Sequence, residues 1–146
     1  STIKNHAIDF NEDEFIDLKN PIDAYASAGN YLNNMGWKEN SHCFYKINLD
    51  NDIPAKYLNA SAKKLINKKK LKFFKKFITD YENLNSIDDN LKVAIITPDK
   101  DIVPDAKTLS PAYVVFDNYE IILKWNRSLR FALAVCTLKN GIKNEL

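Results

Sequence analysis

Pro111-Ala112-Tyr113-Val114-Val115-Phe116-Asp117-Asn118-Tyr119-Glu120-Ile121-Ile122-Leu123-Lys124-Trp125-Asn126-Arg127-Ser128 changes its character partway along. Ala112 to Phe116 is a short apolar run behind a proline and reads as a strand. Asp117-Asn118 then opens a short helix to about Trp125. Ser128 can cap a last helix, apolar through Phe131, Leu133, Ala134, Val135 and Leu138, with Gly141 as its stop. One strand running directly into two helices points to a mixed fold.

Upstream, Val93 to Ile96 is a second short strand closed by Pro98, and the polar stretch Asp99 to Pro111 is a loop. Lys63 to Tyr81 reads as helical, with Leu71, Phe74 and Ile78 on one stripe and lysines elsewhere. Pro54 to Ala62 is a loop with at most one helical turn. Cys43, Tyr45, Ile47 and Leu49 alternate with Phe44, Lys46 and Asn48, a half-buried strand. Asn20-Pro21-Ile22-Asp23 carries an N-cap, a proline at the first helical position and an acid suited to the helix dipole. A helix over Pro21 to Met35 follows, with Ala24, Ala28, Tyr31 and Met35 on one side and Gly36 at its end. The order is helix, strand, helix, strand, strand, helix, helix. This predicts an α+β class, helices packed around a small short-stranded β-sheet, with no internal repeat.

Of the 146 residues 45% are hydrophobic and 27% charged, and the net charge is +2, a globular balance that does not call for a nucleic-acid partner. The two cysteines, Cys43 and Cys136, fit no metal knuckle or redox pair. Both sit in apolar runs, so the expectation is buried free thiols, with a disulfide open in an oxidising compartment. No stretch is apolar and long enough to cross a membrane. No signal peptide is visible and the chain opens with Ser1, so the expected parent protein begins further upstream.

Asp9-Phe10-Asn11-Glu12-Asp13-Glu14-Phe15-Ile16-Asp17-Leu18 places oxygen side chains at alternate positions, the opening of an EF-hand calcium loop. That spacing lets a tight turn aim several oxygens at one hard cation, with Phe15 giving its backbone carbonyl. Two positions depart from the pattern. Glu14 stands where glycine makes the sharp turn, a left-handed position that costs a non-glycine residue about 1–2 kcal/mol. Asn20 stands where a bidentate glutamate closes the loop, but Asp23, on the first helical turn, can close a lengthened one. The alternative is a solvated acidic loop with Asp23 only opposing the helix dipole.

Trp125 offers a flat apolar face, and Asn126 both donates and accepts hydrogen bonds. A ring beside such a side chain suits a sugar, whose faces are rich in C–H and whose rim is hydroxyls. Equally, Trp125 could be core and Asn126 a helix cap. The run Lys63-Lys64 and Lys68-Lys69-Lys70-Leu71-Lys72-Phe73-Phe74-Lys75-Lys76 interleaves cations with aromatics, as nucleic-acid binders do, or forms a solvated face over buried Leu71, Phe74 and Ile78.

Taken together, Asp9-Phe10-Asn11-x-Asp13, Asn20-Pro21-Ile22-Asp23-Ala24, Ala28-Gly29-Asn30-Tyr31-Leu32 and Gly36-Trp37 resemble the calcium loop and following helix of the lytic murein transglycosylase B family. Pro111-Ala112-Tyr113-Val114-Val115, Ile122-Leu123-Lys124-Trp125-Asn126-Arg127-Ser128 and Phe131-Ala132-Leu133-Ala134-Val135 resemble that family's C-terminal block, in the same order. About Asn51 to Leu109 only the layout is similar. The resemblance implies residues 1–146 as the C-terminal portion of a lysozyme-like catalytic domain: 1–37 the EF-hand-like loop and helix, 38–111 a small α/β insert, and 112–146 the closing strand and helices.

It also implies the chemistry. The family cleaves the β-1,4 bond between N-acetylmuramic acid and N-acetylglucosamine without water, leaving a 1,6-anhydromuramoyl end. One glutamate acts first as acid on the glycosidic oxygen, then as base on the sugar's 6-hydroxyl, and needs an apolar cleft to stay protonated. In the family that glutamate precedes a serine, upstream of the calcium loop. Glu12, Glu14, Glu39, Glu82, Glu120 and Glu145 are not followed by Ser, so no catalytic residue is expected in this chain, and the chain alone is expected to be inactive.

The resemblance carries over Tyr31, Trp125 and Asn126 as substrate-facing residues. Phe131 falls where the family often has Tyr, so a hydroxyl contact is missing there. Asp9, Asn11, Asp13, the Phe15 carbonyl and Asp23 carry over as ligands of a structural calcium ion. The expected partner is the peptidoglycan glycan strand and not nucleic acid. Also expected are a monomer, membrane attachment only through a lipid anchor on a missing N-terminus, and a periplasmic or outer-membrane-associated location in a Gram-negative bacterium. A non-catalytic peptidoglycan-binding module remains the alternative.

Overall fold

Asn20 starts the first helix as the sequence predicts. Its side chain accepts from the Ile22 N–H at 3.0 Å and its carbonyl from the Ala24 N–H at 3.0 Å, while Pro21 fills a position whose N–H would lack a helical partner anyway. The helix, α1 (Pro21–Asn34), ends where Gly36 turns left-handed at φ 92°, and the Trp37 N–H returns to the Leu32 carbonyl at 3.0 Å. The computed structural model describes residues 4–100 and 109–145. The chain divides into two compact units, Ser1–Ser41 and His42–Leu146.

In the first unit, a 3-10 turn Lys4–His6 and the acidic loop precede α1. The buried face of α1 is Asp23, Ser27 and Tyr31, one step round from the predicted stripe of Ala24, Ala28, Tyr31 and Met35. The physical reason is polar. Asp23 and Ser27 face inward because they accept backbone N–H groups of the incoming loop: Ser27 Oγ from Ile8 at 2.9 Å, and Asp23 from Phe10 and Asp17. A stripe judged by apolarity alone misses them.

The second unit holds strands β1 (Phe44–Ile47), β2 (Leu58–Asn59), β3 (Lys69–Lys70), β4 (Lys92–Ile96) and β5 (Ala112–Val115), and helices α2 (Leu71–Phe74), α3 (Asp117–Trp125) and α4 (Leu129–Glu145). The sheet runs β1-β5-β4-β2, with β3 also paired to β4. β5 lies antiparallel to both β1 and β4, with Val115 opposite Phe44 and Ala94, and β2 runs parallel to β4. Alternation along β4 and β5 sends Val93, Ile95, Ala112 and Val114 into a core with Ile47, Leu71, Phe74, Ile78 and Leu84. Ala94, Ile96 and Val115, on the opposite face, are buried too. The α+β class read from the sequence is the observed one.

Three further expectations are corrected, besides the loop expected over Pro54 to Ala62, which contains β2. Lys63 to Tyr81 is not one helix. Lys69–Lys70 pair with Val93 and Lys92, and the N–H groups of Leu71 and Lys72 donate to the carbonyls of Leu91 and Asp89, both at 2.9 Å. The helical hydrogen bonds are thereby replaced, leaving the single turn of α2 and a 3-10 turn Lys75–Phe77. The predicted stripe is nonetheless buried: Leu71, Phe74 and Ile78 all lie in the core. Gly141 does not stop the last helix, which continues to Glu145. A helical glycine costs only about 1 kcal/mol against alanine and does not terminate a helix by itself. Cys43 and Cys136 are not free thiols but a disulfide, with Cα atoms 6.0 Å apart. Of the polar loop expected between Asp99 and Pro111, residues 101–108 lie outside the described residues. No helix among the described residues is long and apolar enough to cross a membrane.

Candidate functional site

The expected site residues fall into two groups, one in each unit. In the first unit the acidic loop is organised around its own carboxylates. Asp9 accepts from the N–H groups of Asp13 and Glu14 at 3.3 and 2.9 Å, and Asp13 from the Phe15 N–H at 3.0 Å. The Asn11 amide donates to Asp13 at 2.9 Å. Glu14 sits at φ 71° and Glu12 at φ 58°, both left-handed, so Glu14 adopts the conformation that a glycine would take up at lower cost. Beneath them Asp23, fully buried, accepts from Phe10 at 3.1 Å through Oδ1 and from Asp17 at 3.0 Å through Oδ2.

This loop offers hard oxygen donors on a tight turn, which is the chemistry calcium requires. Among the described residues, however, no three His, Cys, Asp or Glu side chains come together as a metal cluster. The carboxylates are turned to backbone N–H groups instead. The backbone and donor types therefore fit the ion, and the side chains are arranged to hold the loop.

Tyr31, eight residues along the same face from Asp23, is 4% exposed and meets the His6 ring edge-on at 5.4 Å. His6 went unremarked in the sequence. Its carbonyl accepts from Asn30 at 3.0 Å and its ring nitrogen pairs with Asn34 at 3.1 Å, so it links the N-terminal turn to α1. A lone histidine beside no other titratable group gives no sequence signal for this.

In the second unit, α3 ends at Trp125 and the chain turns through Asn126, Arg127 and Ser128 into α4. Asn126 is the C-cap of α3, its N–H returning to Ile122 at 2.9 Å, and its side chain is exposed. Ser128 caps α4 as predicted: its Oγ accepts from the Phe131 N–H at 3.2 Å and its carbonyl from Ala132 at 3.1 Å. This geometry brings Trp125 and Phe131 together as half-buried rings, centroids 6.2 Å apart and nearly perpendicular. The result is an aromatic corner with an exposed amide at its edge.

The corner is braced from below. Tyr119, buried, donates its hydroxyl to the Leu129 carbonyl at 2.8 Å and so ties α3 to the first turn of α4. Burial, and secondarily the nearby Tyr113, raises its phenol well above the ordinary tyrosine range. The neutral form is thus favoured by the fold. The stability this contributes is complete below about pH 10, where the unfolded phenol is also neutral, and is lost as pH rises through the raised folded pKa. Tyr119→Phe is expected to cost about 1 kcal/mol at neutral pH and to flatten the alkaline fall in stability by up to about 1.4 kcal/mol per pH unit. Urea titrations from pH 8 to 11 measure both. An unchanged alkaline slope in the variant would show that Tyr119 is not the group responsible.

With this geometry in view, the sequence matches the transglycosylase SLT domain over residues 1–140. The chain belongs to the transglycosylase SLT domain family, as the resemblance of its two end blocks indicated. Its fold is that of solved lytic transglycosylases. The soluble lytic transglycosylase SltB1 from Pseudomonas aeruginosa matches at a TM-score of 0.72 with 19% identity, over 99% of this chain and 44% of that one. SltB3 from the same organism, in complex with NAG-NAM-pentapeptide, matches at 0.70 with 24% identity, over 97% and 36%. Slt35 of Escherichia coli, in complex with calcium, matches at 0.68 with 18% identity, over 99% and 41%. The chain thus spans less than half the length of these structures. A comparison with curated proteins returned no match.

Proposed function

We propose that this chain forms one wall of the glycan cleft of a peptidoglycan lytic transglycosylase, acting in the periplasm or on the outer membrane of a Gram-negative cell. The observation that carries the reading is the Trp125–Phe131 corner with Asn126 exposed at its edge, in a chain whose family match runs over residues 1–140. The rings offer an apolar face to the C–H side of an amino sugar, and Asn126 exchanges hydrogen bonds with its hydroxyl or acetamido groups. Tyr31, the further substrate-facing residue that the resemblance implies on α1, is 4% exposed against His6 and so offers a ligand little surface. Phe131, lacking a hydroxyl, contributes packing only.

The reaction proposed for the parent protein is non-hydrolytic cleavage of the N-acetylmuramic acid to N-acetylglucosamine bond, giving 1,6-anhydromuramoyl ends. The glutamate that serves as acid and then base comes from outside residues 1–146, since no glutamate here carries the expected following serine. Asp9, Asn11, Asp13, Asp23 and the Phe15 carbonyl would hold calcium, whose role would be to stiffen the loop that seats α1. The presence of calcium in the Slt35 structure supports this assignment.

Sedimentation with purified sacculi tests the reading. Trp125→Ala and Asn126→Ala are each expected to weaken binding about tenfold, in line with the loss of a central aromatic or hydrogen-bonding contact. Undiminished binding by both variants would refute the cleft assignment. The alternative reading is a binding module without catalysis. An assay for anhydromuropeptides on the natural full-length protein separates the two: product supports the enzyme, while binding without product supports the module.

A further inference from the structure

The second unit also carries a cavity of about 410 Å³ between the β2–β3 segment and the exposed side of α3, and two of its lining residues, Lys124 and Arg127, flank Trp125 and Asn126 in sequence. Lys63 and Lys64 line it from the segment, and Lys124 and Arg127 from the helix and its end. Leu65 and Leu123, each 4% exposed, contribute apolar lining. Among the described residues Glu120 is the one acid on the wall, and it is already paired: its carboxylate meets Lys68 Nζ at 2.6 Å. Among the described residues, none of the four cations forms an ion pair of its own.

The segment bearing Lys63 and Lys64 is held in place. It leaves β4 beside Ile95 and Ile96 and returns to it at Val93 and Lys92. Buried Asn59 closes its base, accepting from the Ile66 N–H at 2.9 Å and donating to the carbonyls of Ile66 and Ile95 at 3.2 and 2.9 Å. Asn67, left-handed at φ 55°, donates to the Lys56 carbonyl at 2.6 Å. The Lys68–Glu120 pair then clamps the segment to α3 across 52 residues of sequence. Glu120, Lys124 and Arg127 recur at helical spacing on one side of α3 and beyond its end. The fold therefore brings four positive charges around one concavity and pairs Glu120 internally. Like charges so placed repel one another, and an anion in the cavity removes that repulsion.

We propose that this cavity is a carboxylate-recognition site for the peptide substituent of a glycan strand, which lets the protein distinguish peptide-bearing from bare strands. The proposal rests on the peptidoglycan reading above. The size of the cavity suits a short peptide with an acidic end better than an inorganic ion. Lysine and arginine supply charge from two sides, and arginine can grip a carboxylate with two parallel hydrogen bonds.

Calorimetric titration of the full chain at low salt tests this with four ligands: the disaccharide-pentapeptide, the same disaccharide without peptide, the free pentapeptide, and inorganic phosphate. The peptide-bearing disaccharide is expected to bind at least tenfold more tightly than the bare one. Lys63→Gln with Lys64→Gln, and Lys124→Gln with Arg127→Gln, are each expected to reduce that preference to within about twofold while leaving the bare disaccharide unaffected. All four positions are exposed, so the variants should fold, and matching melting temperatures check this. A preference that survives both double variants overturns the proposal, and so does phosphate displacing the pentapeptide at equal concentration. If the bare disaccharide fails to bind while the free pentapeptide binds through the four cations, the glycan reading falls and the carboxylate site stands. If the bare disaccharide binds and the peptide adds nothing, the reverse holds.

Discussion

Removing the disulfide with Cys43→Ala and Cys136→Ala is expected to destabilise the second unit by about 2–5 kcal/mol, a fall in melting temperature of roughly 10–20 °C for a unit of this size. The bond joins residues 93 apart, so the loop it closes contains every strand of the sheet and all of α3. Cross-links over loops of that length remove the most freedom from the unfolded chain, about 4–5 kcal/mol in the chain-entropy treatment. The folded side adds to this. Cys43 directly precedes β1, and its carbonyl accepts from the Phe116 N–H at 3.0 Å where β5 hands over to α3. Cys136 is fully buried on α4. The bond therefore fastens the last helix to the start of the sheet, and with it the Ser128 cap that shapes the Trp125–Phe131 corner. Thermal unfolding with and without reductant is the measurement. Equal melting curves for parent and double variant, or two titratable thiols in the unreduced denatured protein, would defeat the assignment.

The sequence was most legible where period and punctuation agree. Asn20-Pro21 and Gly36 bracket α1, Pro98 follows β4, and Ser128 opens α4; each of these acts through its own backbone, so a local reading suffices. The Lys63 to Tyr81 stretch misled because Leu71, Phe74 and Ile78 have helical spacing, yet their burial is arranged by carbonyls of Asp89 and Leu91 that no local pattern announces. β2 was invisible for a related reason: two residues are a strand only because Asn59 is pinned to Ile66 and Ile95. The disulfide depended on two distant cysteines meeting, which spacing cannot reveal. In the candidate site, Trp125, Asn126 and Phe131 could be picked out as a local pattern, while the bracing by Tyr119 and the linking role of His6 are properties of packing.

Asp23→Ala is expected to produce the largest loss in the first unit, about 3 kcal/mol or more, because one buried carboxylate holds both ends of the acidic loop. Its two oxygens accept from Phe10 and Asp17, and hydrogen bonds to a charged acceptor contribute about 1.5–3 kcal/mol each. Truncation leaves two N–H groups without their acceptor and removes a negative charge from the first turn of α1, where the helix dipole favours it. Asp23→Asn separates charge from shape: the amide can accept only through its oxygen, so one of the two N–H groups faces an NH2 donor and most of the loss persists. Calcium supplies the second arm. If Asp9, Asn11, Asp13 and Asp23 hold the ion, calcium at about a hundred times its dissociation constant adds about 2.7 kcal/mol to the parent and little to either variant, because the closing ligand is gone. Hydrogen exchange on Phe10, Asp17 and the amides of α1, with calcium or chelator, follows both effects at once. Protection equal in parent and Asp23→Ala under chelator would show that the carboxylate does not anchor the loop. A calcium-induced gain of equal size in both would place the ion elsewhere.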